Sequence, residues 1–367
     1  MERALDRHSQ GAIATIDVAR FYDSVLLLRS AVWLHARGLP KQWCAALLRF
    51  QMLPVIELSV ASLQLDIHSR FRGSLTGSRS AGAAARIPVE CAVIECARRS
   101  GHKGFLIGGV NLTFATYVDN IFSAGDTAAN AVKLLDGVAE YLKSQWSLDI
   151  KGSSREVMVV AGGDTTFQSR FSWKKVTELF CLGHLISNNG SIKADWEATT
   201  QKVIGAFWAN AAHKSLRQTP LKERLRLVSR CCVPLIDFRN TRWPPTRSQC
   251  KREDALQRQL IAILQRTQPR AGEEAGEFFA RRKRLATEVA KRSGTWSSRH
   301  IKRCLEWREH LMRTRNQASW PAILLRHEDA EWLAIMRSIQ RQGTGTRVRA
   351  GAPHARWEEA VLTHVAA

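Results

Sequence analysis

The sequence predicts an α+β fold, with a mostly antiparallel sheet and packed helices followed by a long helical stretch. Two observations predict it. Over the first half, short apolar runs bounded by turn residues alternate with segments whose apolar residues recur at helical spacing. From Trp196 onward the spacing is almost wholly helical, with Pro/Gly breaks near 233–245 and 268–276. The resulting order of strand, helix, strands, helix, hairpin, helix and strand is an α+β layout.

The elements follow in chain order. "GAIATID" (11–17) suits a buried strand that ends in a turn near Ala19 and Arg20. "YDSVLLLRSAVWLHARGL" (22–39) reads as one helix stopped by Gly38 and Pro40, with Asp23 as its N-cap. "PVIELSV" and "LQLDIH" (54–67) read as strands, and the Ala-rich 76–99 as a helix kinked or broken at Pro88. Two short strands are expected around 112–124, an amphipathic helix over 127–146 and a strand over 155–161. "ELFCLGHLIS" (178–187) reads as a strand turned by "NNGS", with "SIKADW" (191–196) pairing back. These boundaries divide the chain at 1–192, 193–268 and 269–367.

Composition narrows the function. The chain has 367 residues, 45% of them apolar, and 55 Lys plus Arg against 33 Asp plus Glu, a net charge of +22. A surplus of that size calls for a polyanionic partner, and nucleic acid is the usual one. The 8 Cys form no Cys-x-x-Cys or zinc-knuckle spacing, so they read as free thiols. His300 and Cys304 share a helix face, but nothing nearby completes a metal set, and they read as packing residues. The N-terminus is too polar for a signal peptide and no 18-residue apolar run exists. An intracellular protein without a membrane contact is expected.

The chemistry points to two carboxylates. Asp17 ends the first strand, and Asp119 stands at the tip of "FATYVDNIFSAG" (114–125) with Asn120 beside it. Both follow apolar residues, so both emerge at one edge of the sheet if the strands are neighbours. Converging carboxylates can hold a pair of divalent ions for in-line phosphoryl transfer, and magnesium suits them. Taken singly, an Asp at a strand end is more often a turn former.

"IDVARFYDSV" (16–25), "GSLTGSRSAGAAARIPVE" (73–90) and "TYVDN" (116–120) together resemble three successive palm motifs of reverse transcriptases, more narrowly those of non-LTR retrotransposons. "WSLDIKGSSREVMVV" (146–160) and "ELFCLGHLIS" resemble the motifs that follow, and "ADWEATTQKVIGAFWAN" and "TPLKERLRLVSRCCVPLI" resemble thumb helices. The similarity runs in consistent order over residues 10–240. The tail with Trp296, Trp307, His310, Leu311, Arg313 and Trp332 resembles the Trp/His-rich segment after the thumb.

The resemblance implies a right-hand polymerase palm, then a helical thumb and a basic helical C-terminal region, with the fingers largely missing. It implies RNA-directed DNA synthesis on an RNA template and a DNA primer from deoxynucleoside triphosphates. Two Mg2+ or Mn2+ ions would be held by Asp17, Asp119 and Asn120, with no small-molecule cofactor. Tyr22, Thr76, Gly77 and Ser78 would contact the incoming nucleotide and template, and Leu182 and Gly183 the primer. A nuclear location is expected if "RRKR" (281–284) is an import signal, a solvated helix face being the other reading.

Departures from the family pattern weaken the expected activity. Asn120 stands where the family has a second Asp, Thr76 where it has Gln, and Ser154-Arg155 where it has Lys-Thr. An amide oxygen can ligate magnesium without adding charge, and an Arg hardly gives up a proton. A degenerate remnant that binds nucleic acid without chemistry is the alternative. Another two-metal phosphotransferase is disfavoured by the Thr-Gly-Ser and Leu-Gly motifs at family spacing.

Residues 281–316 hold 12 Lys/Arg and 3 Glu, net +9. Arg281, Arg282, Lys283 and Arg284 are candidates for phosphate contacts, and four like charges in a row imply an exposed face. Trp307 is expected to pack in a core with Leu311, although stacking on bases is the other use of such residues.

Overall fold

The structure is a computed structural model. It describes residues 11–53, 56–60, 63–67, 72–74, 81–102, 104–107, 110–160 and 163–313, with Ala322 and Val361. Its fold is mixed α+β. Two compact units divide it: Met1–Phe180 with Ile186–Gly190, and Cys181–Leu185 with Ser191–Ala367.

The first unit is built on β1 (Ala12–Asp17), flanked by β7 (Asn120–Gly125) and β8 (Glu156–Val159). With β6 (Phe114–Tyr117) and β9 (Lys174–Val176) they form a five-stranded sheet in the order β6-β7-β1-β8-β9. All pairs are antiparallel except β8 with β9. Ala12, Ile13, Ala14 and Ile16 of β1 are fully buried, as a central strand covered on both faces requires. Sequence spacing missed β9, because "KKV" lacks a strand pattern; its lysines mark a solvated edge, and Lys174 pairs with Glu156 across the ladder at 3.0 Å.

Helix α5 (Ala128–Trp146) is capped by Thr127, whose hydroxyl accepts from the Asn130 N–H at 3.2 Å. Its Val132, Leu135, Val138 and Leu142 share the core with Ala14 and Ile16. Each fully buried aliphatic side chain of this kind stabilises by roughly 1.5–3 kcal/mol. Helix α4 (Ala81–Ser100) runs unbroken through Pro88. The lost hydrogen bond costs about 3 kcal/mol, and burial of Ala84, Ala85, Ile87, Val89, Ala92 and Val93 offsets it.

The expected helix over 22–39 is two: α1 (Phe21–Ser24) and α2 (Leu27–Ala36). The break is imposed from far along the chain. The Ser74 N–H donates to the Tyr22 carbonyl at 2.7 Å and the Gly73 N–H to Val25 at 3.0 Å, removing those acceptors from a helical ladder. Gly73 has φ 83, and a Cβ there would sit 3.1 Å from Asp23 backbone atoms, so any other residue would be strained and crowded. Asp23 lies inside α1 and caps nothing, since Arg20 is the N-cap position. Helix α3 (Lys41–Met52) follows, then the hairpins β2 (Ile56–Val60) with β3 (Leu63–Ile67), and β4 (Phe105–Ile107) with β5 (Val110–Leu112).

The hairpin at 178–187 turns elsewhere than the sequence implied. Strands β10 (Glu178–Cys181) and β11 (His184–Ser187) meet through Leu182-Gly183, and residues 193–209 form α6 (Lys193–Ala209) instead of a returning strand. Leu182 at φ 48 and Gly183 at φ 90 have the positive φ pair of a I′ turn, which a Leu rarely adopts. In the second unit, α6 is followed by α7 (Leu221–Cys231), α8 (Val233–Asn240), α9 (Arg247–Gln265), α10 (Ala275–Ser293) and α11 (Trp296–Met312). Phe207, Val228, Ile236, Leu260 and Trp296 form a core shared by α6, α7, α8, α9 and α11, while Ala286 and Ala290 of α10 pack against Ile261. All 8 cysteines are free thiols. Among the described residues, no helix is long and apolar enough to cross a membrane.

Candidate active site

Asp17 is the last residue of β1, paired with Asn120 at the start of β7. The intervening β6–β7 turn is Val118-Asp119, so Asp119 stands one residue from Asp17's ladder partner. Val118 has φ 57, an outlier for a β-branched side chain and a mark of strain held by its surroundings. The Val18 N–H donates to the Asp119 carbonyl at 3.1 Å and fixes the turn over the end of β1.

The structure therefore brings Asp17 and Asp119 together. Burial raises the Asp119 pKa, and the neighbouring Asp17 carboxylate adds to it, against its own backbone N–H and Lys151. The Asn120 amide donates to Asp119 Oδ1 at 3.3 Å. Asp17 Oδ1 is buried and has no hydrogen-bond partner.

Sequence reasoning missed Lys151. Its ammonium donates to Asp17 Oδ2 at 2.5 Å, and the Asp17 hydrogen bond and charge hold it charged above the ordinary lysine range. The route is backbone pairing: Ile150 bridges Val18, and the Lys151 N–H donates to the Asp17 carbonyl at 2.9 Å. The Ser154 hydroxyl accepts the Asp17 N–H at 2.9 Å. Ser154 and Lys151 lie in "LDIKGSS", and the signal available was that this segment resembles a palm motif.

Tyr22 is half-buried, packed against the main core and edge-on to Phe21 at 5.8 Å. Thr76, Gly77, Ser78 and Trp332 lie outside the described residues. Leu182 and Gly183 belong to the second unit, where a buried polar network anchors their turn. Arg239 donates to the Gly183 carbonyl and to Thr199 Oγ1. Asp195 accepts the Leu185 N–H at 3.1 Å and Trp243 Nε1 at 2.9 Å, and it meets His184 Nδ1 at 3.2 Å. Burial pushes the Asp195 pKa up, but these contacts outweigh it and hold the carboxyl below its ordinary value.

The basic run on α10 is not uniform. Arg281 pairs with Glu273 at 2.6 Å and donates to the Gln268 carbonyl at 2.9 Å, while Lys283 and Arg284 are exposed and Arg282 is half-buried. Four adjacent charges on a helix point in different directions, which is why the exposed-face expectation fails for Arg281. Trp307 is 40% exposed and stacks on His310 at 5.3 Å, while Leu311 alone is buried. His300 is fully buried, with Nε2 against the Trp243 carbonyl and Nδ1 against Glu253, both at 2.9 Å. Burial lowers its pKa, yet contact with Cys304 and Glu253 carries it up to about 10.

Among the described residues, no group of three His, Cys, Asp or Glu side chains is placed to hold a metal ion. A divalent cation at the Asp17–Asp119 pair would give the unpartnered Oδ1 a partner and offset the Asp17 charge that adds to the effect of burial on Asp119.

Comparison with solved structures finds telomerase from Candida albicans in complex with a TWJ fragment of telomeric RNA, at 12% identity and TM-score 0.34, over 72% of this chain and 48% of that one. Telomerase from Candida tropicalis with the same kind of RNA fragment matches at 9% identity and TM-score 0.39, over 88% of this chain and 50% of that one. The apo form of the C. tropicalis enzyme matches at 9% and 0.38, over 88% and 55%. The chain spans about half the length of these structures. No family model matches the chain, and no curated protein matches it significantly.

Proposed function

We propose that this chain is the palm and thumb part of a reverse transcriptase of the non-LTR retrotransposon kind, which adds deoxynucleotides to a DNA 3′ end on an RNA template. The observation that carries the reading is the convergence of Asp17 and Asp119 at one end of an antiparallel sheet, in the order of the palm motifs. Magnesium or manganese ions held by Asp17, Asp119 and Asn120 would neutralise phosphate charge and activate the primer hydroxyl. Asp17 has a buried oxygen without a hydrogen-bond partner that such an ion could take as a ligand. Tyr22 would bear on the incoming sugar, and the Leu182-Gly183 turn on the primer. The surplus of positive charge would hold the phosphate backbone.

One observation favours the second reading, a nucleic-acid-binding remnant without chemistry: Lys151 already neutralises Asp17. Primer extension separates the two. A DNA primer on an RNA template, given deoxynucleoside triphosphates and Mg2+ or Mn2+, should be extended slowly by this chain and not by Asp17→Ala or Asp119→Ala. Both variants should keep the affinity for primer–template, because phosphate contacts do not use these carboxylates. Equal extension by Asp17→Ala sinks the polymerase reading, and no extension by the unaltered chain at saturating primer–template establishes the remnant.

A further inference from the structure

Among the described residues, the second unit buries two arginines in opposite electrostatic settings. Arg239 is compensated: its guanidinium lies 3.9 Å from Asp195 and donates to Thr199 and Gly183. Arg224, on α7, is 6% exposed. One nitrogen, Nη2, donates to the Leu264 carbonyl in the last turn of α9 at 2.7 Å. Its Nε and Nη1 are buried without a partner.

Capping α9 accounts for one donor and leaves the others unexplained. A guanidinium stays protonated in a protein, so the charge is present whatever surrounds it. Burying a cation without a counter-charge is strongly unfavourable. The charged neighbour that acts on Arg224 is Arg266, another cation, and burial together with Arg266 lowers its pKa. Arg266 is exposed, sits at φ 50 just past α9, and donates from Nη1 to the Arg217 carbonyl at 3.2 Å. The Arg224 and Arg266 side chains thus lie where the 214–217 turn, α7 and the end of α9 come together.

We propose that Arg224, with Arg266 at its rim, is a binding site for a phosphate group, supplied by a nucleic-acid backbone. An anion there would meet the two unpartnered N–H groups and offset both charges. Free phosphate shares this chemistry and is the other source. The inference does not depend on chemistry at Asp17 and Asp119.

The test follows thermal unfolding of the full chain in inorganic phosphate and in chloride at matched ionic strength, with Arg224→Met and the exposed Arg266→Gln. Phosphate should give a saturable stabilisation of the unaltered chain that chloride lacks. Arg224→Met should lose it, and Arg266→Gln should weaken phosphate affinity at least about threefold. If Arg224→Met does not fold, Arg266→Gln decides alone. A salt titration of duplex binding names the source: with a backbone phosphate in the site, the log–log slope falls by about 0.9 in the variants. Loss of phosphate stabilisation with an unchanged slope assigns the site to free phosphate. Variants that match the unaltered chain in both measurements overturn the proposal.

Discussion

Replacing Lys151 should tighten divalent-ion binding. Its ammonium is 2.5 Å from Asp17 Oδ2, and any cation that binds that carboxylate must displace it. Two unit charges about 4 Å apart interact by about 1–4 kcal/mol for effective dielectrics of ~80 to ~20. The Lys151 side chain is 45% exposed, which keeps the pair near the weak end, about 1 kcal/mol. Removing the competitor therefore gains about 1 kcal/mol, or about fivefold in affinity. Free Mn2+ measured by electron paramagnetic resonance during titration gives the constant directly. Lys151→Met should bind Mn2+ about fivefold more tightly than the unaltered chain, Lys151→Arg about equally, and Asp17→Ala far more weakly. Unchanged or weaker binding by Lys151→Met would refute competition for Asp17 and leave Lys151 as a clamp that orders it.

Other consequences follow from the buried charges. Asp195→Ala strands Arg239 and should destabilise the chain by about 3–5 kcal/mol in urea titrations, more than loss of an exposed pair such as Arg226–Glu223. His300 has a folded pKa raised from 6.5 to about 10, so its stabilisation is fully present below pH 6.5 and is lost as pH rises through about 10; unfolding midpoints should fall over that window, and His300→Gln should flatten the fall. Lys283→Gln with Arg284→Gln should lower the salt slope of nucleic-acid binding with circular dichroism unchanged, whereas Arg281→Gln should loosen the 268–273 segment it clamps, read as faster amide exchange there.

What the sequence disclosed was local or patterned. Asp17 and Asp119 could be paired because each ends an apolar run, and motif order tied the runs together. Lys151 could not be found that way, because its partner is 134 residues away and its position follows from a bridge between Val18 and Ile150. The break between α1 and α2 was hidden for the same reason, since Gly73 and Ser74 impose it. Local spacing put the turn after Ser187, because a Leu at positive φ contradicts local propensity; the family resemblance alone marked Leu182-Gly183 as a turn. Arg224 did leave a trace: it shares the inward face of α7 with Val228 four residues on, a position for an apolar residue.

Cleavage by a bound ion tests the central claim, that Asp17 and Asp119 share a divalent cation. Ferrous iron in place of magnesium, with ascorbate and peroxide, generates hydroxyl radicals that cut the backbone next to the ion. The account predicts cuts beside residue 17 and within 118–120, suppressed by excess Mg2+ and absent together from Asp17→Asn and from Asp119→Asn. Cuts at only one of the two segments, or cuts at both that persist in either variant, would contradict it.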